Sequence, residues 1–112
     1  MKKITLIFWL VMLISSVAVA QSLNIATDNW LPYEDINNPQ APGFSTEVIR
    51  QVFNQMGVEA NINEYPWKRA VKETFEGRRD ALYSAFFNEE RAAKCYYPEE
   101  PLLTAKYFLY IR

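Results

Sequence analysis

The sequence predicts a small three-layer α/β fold in which a βαβαβ unit forms a parallel sheet. Apolar residues alternate, as in strands, over 22–27 and 58–65, and a third apolar run covers 80–87. The segments between these runs carry apolar residues at helical spacing. Because crossovers between neighbouring strands are right-handed and join parallel strands, the strands of this unit should all point the same way.

The first 20 residues have the features of an export signal. Basic residues at Lys2 and Lys3 precede the apolar run ITLIFWLVMLI, and the small residues AVA end at Ala20. The apolar run is shorter than the about 20 residues of a comfortable bilayer span, which disfavours an uncleaved anchor helix. We therefore expect cleavage after Ala20 and a domain at 21–112 that meets the membrane only through its signal peptide.

The first strand, 22–27, leads into a long loop, 28–43, that is interrupted by prolines. Apolar residues then recur at helical spacing over 44–56, with Ser45 as the expected N-cap and Gly57 as the stop. The second strand at 58–65 alternates apolar and polar residues.

Pro66 fits the first turn of a second helix, which should end at Gly77. The apolar face of this helix comprises Trp67, Ala70, Val71 and Phe75. Two i,i+4 ion pairs are expected on its solvent side, Arg69 with Glu73 and Lys72 with Glu76. The third strand, within 80–87, is more continuously apolar, which favours a central position in the sheet. Asn88 should cap a short helical turn, and 105–111 has the composition of a strand.

Ligands of open parallel sheets bind beyond the carboxyl ends of the strands. The loops expected at that edge carry five residues that should converge on one rim: Trp30, Tyr33, Tyr65, Trp67 and Arg91. The loop at 28–43 is also long for a compact domain, which is typical of functional loops.

The residues required for several classes of chemistry are missing. The sequence has no histidine and only three glycines, so it lacks nucleophile–histidine pairs, most zinc sites and phosphate-binding glycine loops. Glu89 and Glu90 are adjacent and should diverge, which makes them a poor acid/base pair. A net charge of −1 without a basic patch argues against nucleic acid as a partner. Cys95 is the only cysteine of the sequence, and we interpret it as a half-buried apolar side chain. We expect no catalysis, cofactor or metal.

Several residues have the chemistry needed to bind a ligand. Arg91 follows the cap at Asn88, and its planar guanidinium there suits a carboxylate, although pairing with a nearby glutamate is an alternative. Trp30 and Tyr33 could form the wall of a ligand site, or they could cover the hydrophobic core. Asp28 could accept a hydrogen bond from a ligand ammonium group or cap its own turn.

Three segments, LNIATDNWLPYE, GFSTEVIRQVFNQMGVEANIN and GRRDALYSAFFNEERAAKCYYPEEPL, resemble the N-terminal part of family 3 extracytoplasmic solute-binding proteins. The resemblance covers 22–112. It implies the first lobe of a two-lobed periplasmic binding protein fold (type II), which closes on a polar amino acid or similar solute. It also implies a periplasmic location and an inner-membrane ABC permease as partner.

The resemblance also implies roles for individual residues. Tyr33 matches the aromatic that stacks on the ligand, Trp30 its neighbour and Asp28 the loop acid. Arg91 matches the arginine that binds the α-carboxylate, and Ser84 the residue at the end of the third strand. The sequence departs from the family where small hydroxyl residues are usual, since Ala85, Phe86 and Phe87 occupy those positions.

The chain stops at Arg112, near the expected first crossing to a second lobe, so we expect a truncated lobe that lacks half of the ligand cage. Three alternatives to a transport receptor remain open. They are an enzyme on the same scaffold (a dehydratase or lytic transglycosylase relative), an extracytoplasmic sensor lobe, and a non-functional remnant.

Overall fold

The computed structural model describes residues 21–111, so the expected signal peptide at 1–20 lies outside the described residues. The elements are β1 (Ser22–Thr27), α1 (Phe44–Gln55), β2 (Glu59–Glu64), α2 (Trp67–Phe75), β3 (Ala81–Leu82) and α3 (Glu89–Ala92). Helix α1 packs on β2, and α2 packs on β1 and β3. This order confirms the predicted βαβαβ unit.

The sheet has the order β2-β1-β3, and both pairings are parallel as predicted. Strand β1 pairs with β2 along its whole length and with β3 at Ile25 and Ala26. The expectation that the third strand is central was wrong for the described sheet, where β1 lies in the middle. Strand β3 ends after two residues, and two residues later Ser84 has a φ of 56°, outside the extended region of a strand.

The buried core lies under the carboxyl end of β1. Ile25 and Ala26 are 1% and 0% exposed, whereas Ser22 at the start of the strand is exposed. Ala70 of α2 and Tyr83 after β3 complete the buried apolar set. The best-packed part of the domain therefore supports the edge from which the site loops emerge.

Helix α1 is capped differently from the prediction. Ser45 lies inside the helix and is fully buried, and Gly43 occupies the N-cap position without a side-chain cap. The Ser45 N–H donates to the carbonyl oxygen of Tyr33 at 3.0 Å. The loop backbone thus satisfies a first-turn N–H of the helix. The Glu47 N–H, which a Ser45 cap would have satisfied, donates instead to the Gly43 carbonyl oxygen at 3.0 Å.

Helix α2 begins directly after Pro66 and carries both predicted ion pairs, Arg69–Glu73 at 2.7 Å and Lys72–Glu76 at 3.9 Å. Glu73 is not on the solvent side, however, because it is only 7% exposed. Its other oxygen accepts a hydrogen bond from Arg79 Nε at 2.9 Å. Hydrogen bonds from Arg69 and Arg79 hold the pKa of the Glu73 carboxyl below its usual value.

The segment 105–111, expected to have strand character, pairs with no strand in the described part of the chain. Its side chains from Tyr107 to Ile111 are 73–91% exposed. Between residues 21 and 111, no helix has the length and apolar character needed to cross a membrane.

Candidate functional site

The loop after β1 holds its two aromatic residues against each other. Trp30 and Glu34 form an antiparallel bridge, with Trp30 N–H donating to Glu34 O at 3.1 Å and Glu34 N–H to Trp30 O at 2.9 Å. The Tyr33 N–H also donates to Trp30 O, at 2.8 Å. As a result, the Trp30 and Tyr33 ring centroids lie 4.7 Å apart. The loop is thus a closed turn that presents paired rings.

The segment after β3 connects this loop to Arg91. The Phe86 ring meets Trp30 edge to face at 5.8 Å, and the Phe86 carbonyl accepts a hydrogen bond from Arg91 Nη1 at 2.7 Å. The Arg91 guanidinium also lies over the Trp67 ring, 5.4 Å from its centroid. Four of the five expected rim residues are therefore brought together through Phe86.

Tyr65 is the rim residue that does not join this group. The guanidinium groups of Arg69 and Arg79 both contact its ring, each 4.8 Å from the ring centroid. These are the same arginines that hold Glu73. Tyr65 therefore belongs to a cluster that secures α2 against the start of β3.

Asp28 caps a helix. Its Oδ2 accepts a hydrogen bond from the Trp67 N–H at the start of α2 at 3.0 Å, and its Oδ1 accepts one from the Asn29 N–H at 2.8 Å. A carboxylate there satisfies an otherwise unpaired helix donor and complements the helix dipole. Of the two readings that the sequence left open, the structure shows capping, and the capped element is α2 as well as the loop.

Arg91 is fixed by its backbone and its side chain. Its N–H donates to Asn88 Oδ1 at 2.8 Å, which confirms the predicted cap of the short helix α3. Among residues 21–111 no carboxylate lies within 4.0 Å of the Arg91 guanidinium, and the neighbouring Glu90 pairs instead with Lys94 at 3.9 Å. The alternative in which Arg91 pairs with a nearby glutamate is therefore not what the structure shows.

A cavity of about 950 Å³ opens beside this group. Its size is within the range of small-molecule sites. Of the rim residues, Trp30 and Arg91 line the cavity, together with Ser84, Phe86 and Phe87 after β3, whereas Tyr33, Tyr65 and Trp67 do not line it. Ile49, Phe75 and Leu82 add apolar side chains to the lining. The arrangement offers an anion-binding cation at the edge of a largely apolar space.

Glu34, the partner of Trp30 in the bridged turn, is a buried carboxyl group that the sequence analysis did not single out. It is 2% exposed and accepts a hydrogen bond from the Thr27 hydroxyl, while its Oε1 is buried without a hydrogen-bond partner in the described residues. Burial raises the pKa of the Glu34 carboxyl; the hydroxyls of Ser84 and Thr27 act against this, and the charge of Asp28 adds to it. The one feature of the sequence that could have drawn attention to Glu34 is that it directly follows Tyr33 in the aromatic loop.

The raised pKa of Glu34 gives a testable pH dependence. The native state holds this proton more tightly than the unfolded state, so the contribution of Glu34 to stability is complete below the unfolded value of 4.5 and is lost as the pH rises through the folded pKa. We expect Glu34→Gln to remove this loss. Urea unfolding of the purified protein at a series of pH values above 4.5 measures it.

The matched control for Glu34 is Glu59→Gln, at an exposed glutamate of β2. The control should keep the fall in stability that the unmodified protein shows. Profiles of the unmodified protein and Glu34→Gln that run parallel across this range would contradict the assignment.

Comparison with known proteins decides the family. The model of the bacterial extracellular solute-binding proteins, family 3, matches residues 23–109. The chain belongs to this family. The match includes the aromatic loop, Ser84 and Arg91, and the small α/β unit with its parallel sheet is compatible with a lobe of such a protein. Comparisons with curated proteins and with solved structures gave no match.

Family 3 proteins bind solutes, and the described site has the matching character. Within residues 21–111, no three His, Cys, Asp or Glu side chains are grouped so that they could hold a metal ion. What the site offers instead is an arginine, aromatic rings and a cavity. An arginine and aromatic rings are groups of the kind that bind small ligands through charge and surface contact.

Proposed function

We propose that this protein binds a small carboxylate-bearing solute in the periplasm and passes it to an ABC permease of the inner membrane. Export would follow from the signal peptide at 1–20. The observation that carries the proposal is Arg91, a fixed guanidinium at the edge of a cavity with no carboxylate partner among the described residues.

The geometry of Arg91 suits a carboxylate. Its Nη1 donates one hydrogen bond to the Phe86 carbonyl, and a guanidinium carries five N–H donors in a planar fork. The remaining donors are sufficient for two parallel hydrogen bonds to a carboxylate. The hydrogen bond to Phe86 and the cation–π contact with Trp67 restrict the Arg91 side chain, so less rotational freedom is lost when the solute binds.

The aromatic turn supplies the second part of the site. Trp30 and Tyr33 are half-buried, and the bridge between Trp30 and Glu34 fixes their positions before a ligand arrives. Flat rings held in place can cover the apolar part of a solute at a low entropic cost. The charge of Arg91 at one end of the solute and the aromatic rings at the other then orient it.

The proposal is tested by isothermal titration calorimetry of the purified protein with pairs of carboxylates and their amides, such as phenylacetate with phenylacetamide and L-glutamine with L-glutaminamide, in which the α-carboxylate is replaced. The amide keeps the shape and removes the charge of the group offered to Arg91. We expect the carboxylate of at least one pair to bind and its amide to bind at least about tenfold more weakly. Absence of binding by every carboxylate would overturn the proposal.

Replacing Tyr33 by alanine is expected to weaken solute binding by about 1–2 kcal/mol and to leave the melting temperature of the empty protein nearly unchanged. The Tyr33 ring has Trp30 as its aromatic contact, and the carbonyl that accepts from Ser45 is retained in the variant. Calorimetry and thermal unfolding measure the two effects.

Tyr83→Ala provides the contrast to Tyr33→Ala. Tyr83 is 6% exposed, and its hydroxyl shares a hydrogen bond of 2.9 Å with Thr46. Its loss should lower the melting temperature strongly. If Tyr33→Ala melted as early as Tyr83→Ala, Tyr33 would be a core residue rather than a wall of the site.

A further inference from the structure

We infer that the solute carries an aromatic or similarly flat apolar ring, which lies against Phe86 and Trp30 while its carboxylate lies at Arg91. The site would then select ring-bearing carboxylates over polar amino acids. This inference rests on the proposed function and adds the chemical class of the solute.

Phe86 is the residue that suggests a ring. It is 44% exposed, although it lines the cavity and belongs to an apolar side-chain type. Its ring meets Trp30 at 5.8 Å with an interplanar angle of 66° and Tyr107 at 5.9 Å with an angle of 62°. With Tyr33 packed on Trp30, these residues form one aromatic row, defined as Tyr33, Trp30, Phe86 and Tyr107.

The rings of the aromatic row leave room for a further ring. Edge-to-face contacts cover the edge of one ring and the face of the other, so aromatic surface remains accessible, as the exposure of Phe86 shows. A flat solute can add an offset-stacked or edge contact of the same kind. A flexible polar side chain would instead place groups that need hydrogen bonds against apolar surface, which is unfavourable.

The carboxylate and ring positions are linked through one residue. The Phe86 carbonyl accepts hydrogen bonds from Arg91 Nη1 at 2.7 Å and from the Tyr97 hydroxyl at 3.1 Å. The Phe86 side chain, on the same residue, contacts Trp30. A solute with only a few bonds between its carboxylate and its ring therefore fits both positions at once.

The carboxylates that flank the aromatics in sequence are poorly placed to accept a solute ammonium group. Both oxygens of Asp28 accept backbone hydrogen bonds, at 2.8 and 3.0 Å. Glu34 is 2% exposed and lies beneath the turn. Neither Asp28 nor Glu34 lines the cavity. The carboxylates that do line it are Glu99 and Asp80, whose Oδ2 accepts a hydrogen bond from the Asn24 N–H at 2.7 Å.

The test compares four probes by calorimetry at one pH: phenylacetate, acetate, L-glutamine and phenylacetamide. We expect phenylacetate to bind at least about tenfold more tightly than each of the others. If acetate or L-glutamine bound as tightly as phenylacetate, the inference that the solute carries a ring would be overturned, but the proposed binding of a carboxylate would not. If phenylacetamide bound as tightly as phenylacetate, or no carboxylate bound, the proposed function itself would fail and the inference with it.

The variant Phe86→Leu isolates the ring contact. It keeps an apolar side chain and the carbonyl that holds Arg91, so we expect phenylacetate affinity to fall about fivefold or more while acetate affinity is unchanged. The matched control is Phe108→Leu, at a phenylalanine that is 73% exposed and does not line the cavity. Equal phenylacetate affinity in Phe86→Leu and the control would overturn the inference.

A measurement on the unmodified protein does not depend on how Phe86→Leu folds. Nuclear Overhauser effects between the phenylacetate ring protons and the Trp30 indole should be observed when phenylacetate is bound. Bound phenylacetate without effects to Trp30 or Phe86 would place the ring elsewhere and overturn the inference.

Discussion

Replacing Gly43 by alanine is expected to lower the free energy of unfolding by about 3–4 kcal/mol. Gly43 has a φ of 90°, which L side chains rarely adopt. An added Cβ would also press against the Tyr33 carbonyl and lie 2.6 Å from Glu34 N. Because these are backbone atoms held by the Trp30–Glu34 bridge, the clash cannot be relieved by rotating a side chain. Urea denaturation measures the loss.

Gly57→Ala is the control for backbone conformation alone. Gly57 has a φ of 70°, but an added Cβ there meets nothing within 4 Å. The expected loss is therefore about 1 kcal/mol, from the left-handed conformation only. Equal losses at the two glycines would show that the contact with the aromatic turn contributes nothing. Gly43→Ala should also weaken solute binding, since Tyr33 has to shift.

Replacing Arg91 by alanine is expected to cost about 2–4 kcal/mol of solute affinity, because a charge-assisted and bidentate contact is lost. Calorimetry with phenylacetate measures this change. Arg91→Lys should retain little of the affinity, since an ammonium group offers neither the planar fork nor the same stacking on Trp67. The melting temperature of the empty protein should change little, as Arg91 pairs with no described carboxylate.

The matched control for Arg91 is Arg78→Ala. Arg78 pairs with Glu76, its side chain is 54% exposed, and it does not line the cavity. Its replacement should leave solute affinity unchanged. Unchanged affinity in Arg91→Ala would remove Arg91 from the site and leave the cavity without the cation on which the proposed function depends.

Local patterns in the sequence predicted the parts of the fold that depend on local physics. The alternation around Ile25 gave β1 with its observed bounds, and the spacing of apolar residues gave both longer helices. The Asn88 cap was also predictable, because its partner Arg91 lies only three residues away. Membership of the family confirms the resemblance seen in the same motifs.

The wrong expectations concern contacts between residues that are distant in the chain or that involve backbone atoms. Ser45 was expected to cap α1 through its hydroxyl, but the Tyr33 carbonyl, twelve residues earlier, receives its N–H. Glu73 was placed on the solvent side because its pairing with Arg79 across the turn after α2 does not follow from helical spacing. The hydrogen bond from the Thr27 hydroxyl to Glu34 likewise does not follow from the local pattern, because the two residues are seven positions apart in a strand and a loop.

The site residues show the same division. The location of Trp30, Tyr33 and Arg91 near one edge of the sheet was predictable, because parallel strands deliver their loops to one edge. Their roles in binding stay predictions. The role of Asp28 was left open between ligand and cap, and only the three-dimensional distance to Trp67 favours the cap. The sequence shows that Phe86 departs from the family pattern. It does not show that the Phe86 carbonyl accepts a hydrogen bond from Arg91, because this contact depends on the turn after Ser84.

The bond from Arg91 to the Phe86 carbonyl has an evolutionary consequence. A main-chain oxygen is present whatever amino acid occupies position 86, so its hold on Arg91 can survive substitutions that the turn tolerates. The Phe86 side chain, by contrast, lines the cavity, and its ring contacts Trp30. Under the proposed function, a substitution at position 86 would change the surface offered to the solute and keep the main-chain oxygen that holds Arg91.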